Sequence, residues 1–301
     1  MPQPTKPNGC PPDILNAHKS HPRRFRQSRL IYPVLSRRSR GISVGVNLSP
    51  HKRCNFDCPY CQVDRTTSGE PDPLPYDLEI MEAELRQTIL SIMSGDIYSY
   101  TPFDETPAAF RRLNDIALSG DGEPTAEKDF LATCRVCARV KAELGLEQVK
   151  LVLITNATRL HRSQVQQGLE ILDRHQGQIW AKLDAGSDAY YRFINKTSIP
   201  FRRVLDNLLD AARVRPIVIQ SLFVRFNGEP IDGKEVAAYA QRIDDILQAG
   251  GQITAIQLHT IARPPADGRL TGLSPIELDQ IAGQLQQTLT LPIQTYYGDS
   301  A

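Results

Sequence analysis

The sequence predicts an α/β fold, a parallel sheet covered by helices and curled into a partial (β/α)6 barrel. Strand-like and helix-like stretches alternate six times along 301 residues, and alternation of that kind builds parallel sheets. Few breaks separate the units, so the sheet is expected to curl into a partial barrel rather than to divide into domains. The 41% hydrophobic content is enough for one large core or two modest ones.

Residues 1–40 stand apart. They hold seven prolines, nine Lys/Arg against the single acid Asp13, and no sustained periodicity. They read as an irregular basic N-terminal arm, suited to RNA, to an anionic surface or merely to solubility. Residues 41–301 read as one core domain.

The first strand is Ile42, Val44, Val46 and Leu48 alternating with Ser43, Gly45 and Asn47. A cysteine loop follows, then a helix from Leu78 to Met93 rich in helix formers. Residues 94–115 are an unusually long connection, and such insertions are more often functional or mobile than idle. The strand Ile116–Leu118 then precedes a helix at Lys128–Leu144. Val149–Thr155 precedes Ser163–Leu172, and Ile179–Leu183 precedes Phe201–Ala212. Ile217–Phe226 precedes Asp232–Ala249, and Thr254–Ile261 precedes Pro275–Leu289. Asp232 with Glu235, and Ser274 with Pro275 and Glu277, fit the start of a capping box.

No stretch approaches the ~20 apolar residues of a membrane span. The Pro-rich start lacks the apolar region of a secretory signal, and six cysteines are too few for a disulfide scaffold. A cytoplasmic protein with metal or redox chemistry is expected.

In a parallel α/β sheet, ligands sit where strands end. After the first strand comes CNFDCPYC, in which Cys54, Cys58 and Cys61 have the spacing C-x3-C-x2-C. With His51 as a fourth ligand the set suits a Cys3His zinc site, and hence a non-catalytic nucleic-acid-binding module. Alone, the three thiolates suit a four-iron cluster with one iron left open to a small molecule. After the second strand comes SGDGEPT, where Gly120 and Gly122 permit positive φ or close approach and Glu123 places a carboxylate on a tight turn. Later strand ends offer Asn156, Lys182, Asp184, Gln220, Arg225, Asn227, His259 and Arg263. Cys134 and Cys137 share a helical face with Phe130, Val140 and Leu144, which marks them as core; Cys10 has no local partner.

The cysteine spacing, with Tyr60 before the third cysteine and a strand before the first, resembles the radical S-adenosylmethionine (radical SAM) superfamily. The resemblance implies a [4Fe–4S] cluster on Cys54, Cys58 and Cys61, with SAM chelating the open iron. Reductive cleavage would then give a 5′-deoxyadenosyl radical that takes a hydrogen atom from a substrate. Gly122-Glu123-Pro124 is similar to the superfamily's GGEP-like motif, with Asp121 where a second adjacent glycine is common. It implies SAM contacts from Tyr60, Gly120, Gly122, Glu123, Asn156 and Asp184, and the partial barrel of this superfamily. No side chain is needed as a general base for radical generation. The chain contains no flavodoxin-like stretch, so an external one-electron donor of flavodoxin or ferredoxin type is expected.

GVNLSPHKRCNFDCPYCQVDR, SGDGEPT, LITNAT and KLDAG, in this order, resemble the branch that includes the wyosine-base synthases acting on tRNA. Those enzymes carry an upstream cysteine triad for a second cluster, and here only Cys10 lies upstream. A tRNA base is therefore one candidate substrate; a peptide or a small metabolite stays open.

Overall fold

The structure is a computed structural model that describes residues 25–36, 39–63 and 75–298. An eight-stranded sheet forms its spine. In order across the sheet the strands are β1 (Ile31–Ser36), β2 (Gly41–Asn47), β3 (Leu113–Ser119), β4 (Lys150–Thr155), β5 (Gly177–Lys182), β6 (Ile217–Leu222), β9 (Ile253–His259) and β11 (Ile293–Tyr296). All neighbours from β2 to β11 run parallel. The sheet curls into the half-barrel that the β/α alternation predicts.

Helices α1 (Leu78–Ser94), α2 (Phe130–Glu143), α3 (Ser163–Asp173), α4 (Asp188–Asn195), α5 (Phe201–Val214), α6 (Gly233–Gln248) and α7 (Pro275–Gln286) pack around it. Their apolar stripes and the outer strand faces form one continuous core. The inner face carries a separate small cluster of Ala117, Val152, Trp180 and Val218, one residue from each of four adjacent strands. That cluster is the floor of the half-barrel's concave side.

Four expectations need revision. The sheet begins ten residues before Gly41, because β1 lies inside the segment read as an arm and pairs antiparallel with β2. It is an edge strand, the position that tolerates Pro33. A seventh parallel strand, β11, follows the last helix. The expected strand Ile217–Phe226 is two elements: the chain leaves the barrel at the buried Phe223, and Val224–Phe226 (β7) joins a small side sheet with Glu229–Pro230 (β8) and Leu270–Gly272 (β10). Asn227 and Gly228, both at positive φ, make the β7–β8 turn, the conformation an Asn-Gly hairpin selects.

The fourth revision concerns caps. Ser274 and Glu277 form the full capping box. Asp232 caps Lys234 N, but Glu235 reaches away and accepts Gly186 N at 2.6 Å and Ser187 N at 3.0 Å. Tertiary donors displace the local partner. The connection 94–115 is packed rather than loose: Ile97 and Phe103 are buried, and Phe103 and Tyr100 make edge contacts with Phe25. Residues 1–24, including Cys10 and much of the expected arm, lie outside the described residues.

Candidate functional site

All three motif cysteines open onto one cavity of about 420 Å³ on the concave side of the sheet. The loop that carries them is held from three directions. Asn55 Nδ2 donates to Thr158 Oγ1 at 2.6 Å, and Asn55 Oδ1 accepts from Asn156 Nδ2 at 2.7 Å, fastening the loop to the end of β4. Asp57 N donates to Asn195 O at 3.1 Å and Thr197 Oγ1 donates to Asn55 O at 2.9 Å, fastening it to the end of α4. Ala266 N and Asp267 N donate to Cys61 O and Pro59 O at 3.1 and 3.0 Å, so the segment after β9 closes over it. Asn55, Thr158 and Asn195 were not singled out from the sequence. Their signal is purely three-dimensional; the one local cue nearby is Ser187, whose side chain caps the short helix α4 that ends at Asn195.

The SGDGEPT turn lies beside this loop. Gly120 has φ +145°, and a Cβ there would sit 2.3 Å from Asn47 Oδ1. At Gly122 a Cβ would fall 2.1 Å from the Arg53 carbonyl. Both glycines are thus required by the close approach of the second strand end to the first.

Glu123 is 3% exposed. Its Oε1 accepts from Thr125 N at 3.1 Å, Thr125 Oγ1 at 2.5 Å and Thr155 Oγ1 at 2.6 Å, and its Oε2 accepts from Asn156 N at 2.7 Å. Burial nevertheless holds its pKa above the ordinary carboxylate value, against the pull of these donors. The carboxylate clamps two strand ends while lining the cavity.

Asp184, 2% exposed, accepts from Leu222 N at 2.9 Å and from the Tyr60 hydroxyl at 2.5 Å. The Lys182 ammonium is 3.5 Å from Asp184 Oδ2 and 5.0 Å from the centre of the Tyr60 ring. The aromatic residue inside the cysteine motif is thereby tied to the end of β5. Burial, and next the Asp184 charge, raise the Tyr60 pKa, so its hydroxyl stays a donor.

Burial pushes the Cys58 thiol up to about 12, against the pull of Tyr60 and Lys182. A thiol in that setting ionises when a metal takes its proton's place. Phe56 N lies 3.5 Å from Cys54 Sγ, a donor aimed at sulfur. Among the described residues no three His, Cys, Asp or Glu side chains converge on a point fit for a single ion. His51 is turned elsewhere: Nδ1 accepts from Arg53 N at 3.1 Å and Nε2 lies 3.4 Å from Glu127 Oε1. Three cysteines on one cavity are a donor set of the kind an iron–sulfur cluster takes, and His51, bonded to Arg53 and beside Glu127, does not join them.

The remaining strand-end residues divide. Lys182, Gln220, His259 and Arg263 line the cavity. Arg225, on β7 of the side sheet, instead pairs with Glu277 of α7, and Asn227 serves the β7–β8 turn. Cys134 and Cys137 are fully buried on α2 and belong to the outer core.

A half-barrel with three clustered cysteines opening onto the concave face has the form of a cofactor-dependent enzyme. Residues 48–240 match the family model of the radical SAM superfamily, and the chain belongs to that superfamily as a radical SAM enzyme. It is 26% identical over 237 residues to the UPF0026 protein of Helicobacter pylori strain 26695, covering 77% of this chain and 66% of that protein. It is 22% identical over 298 residues to a protein named GTPase Obg from Brachyspira hyodysenteriae, covering 96% of this chain. The chain spans 38% of that protein's length. The solved structure of TYW1 with a lysine–pyruvate adduct bound shares the fold, with a TM-score of 0.51 and 14% identity over 83% of this chain and 74% of that one. Among the described residues no helix is long and apolar enough to cross a membrane.

Proposed function

We propose that Cys54, Cys58 and Cys61 hold a [4Fe–4S] cluster, and that the chain uses it with SAM to abstract a hydrogen atom from a substrate in the half-barrel. The observation that carries this reading is the opening of all three cysteines onto the cavity that the Gly120–Glu123 turn also lines. When bound, the cluster and SAM supply one-electron cleavage of a sulfonium bond and a 5′-deoxyadenosyl radical. As in the superfamily, the electron comes from an external donor, here one of flavodoxin or ferredoxin type.

The chain's own residues position and brace. Tyr60, Gly120, Gly122, Glu123 and Asn156 line the cavity as the SAM-facing rim, and Asp184, the sixth residue expected there, stands behind Tyr60 rather than on the cavity lining. Asp184 fixes the Tyr60 ring, and Asn55 with Asn156 fixes the loop against β4. Glu123 keeps the β3 and β4 ends in register beside the cluster loop. The segment at 266–267 braces the cysteine loop through backbone bonds to Pro59 and Cys61.

Anaerobic reconstitution with iron and sulfide, then dithionite and SAM, should yield 5′-deoxyadenosine, and Cys58→Ala should lose both cluster iron and product. Wild-type protein with a full cluster and no product sinks the reading. A colourless protein with one tight zinc sinks it as well.

The substrate is proposed to be an RNA base, reached with the help of the basic N-terminal segment. Support comes from the charge of residues 1–40 and from the branch resemblance. Since β1 belongs to the sheet, the truncation is confined to residues 1–24, which carry four of the nine Lys/Arg of the segment. The truncation, and more so its combination with Ala at Arg37 and Arg38, should weaken tRNA binding and flatten its salt dependence; binding that is unchanged in the combined variant, or that wild type lacks, refutes the RNA assignment.

A further inference from the structure

The concave face carries a row of side chains that radical generation leaves unused. Lys182, Gln220, Gln257 and Gln294 stand side by side across β5, β6, β9 and β11, at matching register. Neighbouring strands are ~4.8 Å apart, so these groups form a continuous polar band. Gln220 Nε2 donates to Gln257 Oε1 at 2.8 Å, and both residues are more than nine-tenths buried. Among the described residues Gln220 Oε1 accepts no hydrogen bond, yet the side chain lines the cavity. Its oxygen is not sealed in the core but opens to the cavity, where a ligand can reach it. Swapping oxygen and nitrogen in both amides moves the unbonded oxygen to Gln257, and in either assignment three of the pair's four N–H groups remain unused within the pair.

The rows on either side are aromatic or apolar. Toward the strand ends, His259 and Tyr296 stack with ring centres 4.8 Å apart and planes 13° from parallel. Toward the floor lie Trp180 and Val218. A polar band between aromatic faces suits a flat ring that presents an N–H beside a C=O.

We propose that Gln220, braced by Gln257, reads the substrate, and that the group it takes is the lactam edge of a heterocycle. This rests on the reading of the cavity as the site of radical chemistry, and it names the class of molecule admitted there. Gln220 Oε1 accepts the ring N–H, and the free N–H of the carboxamide pair donates to the adjacent carbonyl.

The test is equilibrium dialysis of the anaerobically reconstituted protein with radiolabelled uracil, with competition by unlabelled compounds. Uracil should bind about tenfold more tightly than 1,3-dimethyluracil, which keeps the ring and carbonyls but lacks the N–H. In Gln220→Leu and in Gln220→Glu that preference should fall at least severalfold. The comparison within wild type needs no variant, so a poorly folding variant does not blunt it. Equal binding of the two uracils overturns the proposal. Displacement of uracil by SAM overturns it too, by assigning Gln220 to the cofactor. Tighter binding of N-acetylglycinamide than of uracil replaces the lactam with a peptide amide. If uracil is discriminated but no 5′-deoxyadenosine forms, the radical reading fails while the recognition element survives; the reverse result removes only the element.

Discussion

Tyr60 and Glu123 show how buried polar side chains do structural work within the candidate site. Tyr60→Phe removes the hydroxyl that Asp184 accepts and leaves a 2%-exposed carboxylate short of a donor. Urea unfolding should show a loss of about 1–3 kcal/mol, the cost of stranding one buried partner. Cluster iron should fall with it, since the cysteine loop loses its tie to β5. Glu123 adds a pH signature. Its folded-state pKa lies above the ordinary 4.5, so the folded chain binds this proton more tightly than the unfolded chain does. That contribution is fully present below about pH 4.5 and declines as pH rises through the raised value. Unfolding curves from acid to neutrality should therefore show wild type losing stability relative to Glu123→Gln. A constant difference between the two would mean that Glu123 titrates normally.

At the scale of elements, β1 changes the inner wall of the half-barrel. Tyr32 pairs in register with Gly45, and a Cβ on Gly45 would meet the Tyr32 ring at 2.2 Å. The Tyr32 hydroxyl is 2.8 Å from Ser119 Oγ, at the end of β3. Gly45→Ala should cost about 1–3 kcal/mol by overpacking, and the double variant with Tyr32→Ala should recover part of that loss. Strictly additive effects would contradict the contact. The strand escaped the sequence reading because Pro33 and the surrounding basic residues mask its alternation. The helix α4 escaped because eight residues make too short a stretch for periodicity to register. Caps show the same limit. The Ser274–Glu277 box was legible because both partners are local, whereas Glu235 answers to backbone donors at Gly186 and Ser187, far off in sequence. Ser274→Ala should cost ~1 kcal/mol by thermal unfolding, as the loss of an N-cap typically does.

Over the whole molecule, chemistry and architecture divide between the two faces of one sheet. The outer face is the continuous core, where Cys134 and Cys137 behave as small apolar residues. The inner face holds the cavity with the motif cysteines, and its polar lining would be wasted in a purely structural barrel. Iron and sulfide uptake should accordingly protect the cysteine loop. Hydrogen exchange at residues 54–61 should slow on reconstitution in wild type and stay fast in Cys58→Ala, while exchange in the outer helices should not change.

The six β/α units and the cysteine and glycine motifs were legible in the sequence alone, because each depends on residues close along the chain. Period-2 and period-3.6 patterns, a C-x3-C-x2-C loop and a Gly-x-Gly turn are local signals with local causes. Which side chains face one another was decided only by the tertiary structure. The Tyr60–Asp184 bond spans 124 positions, the Glu123–Asn156 bond spans 33, and the Gln220–Gln257 pair spans 37. Strand order and register create these meetings, and no short window of sequence encodes them.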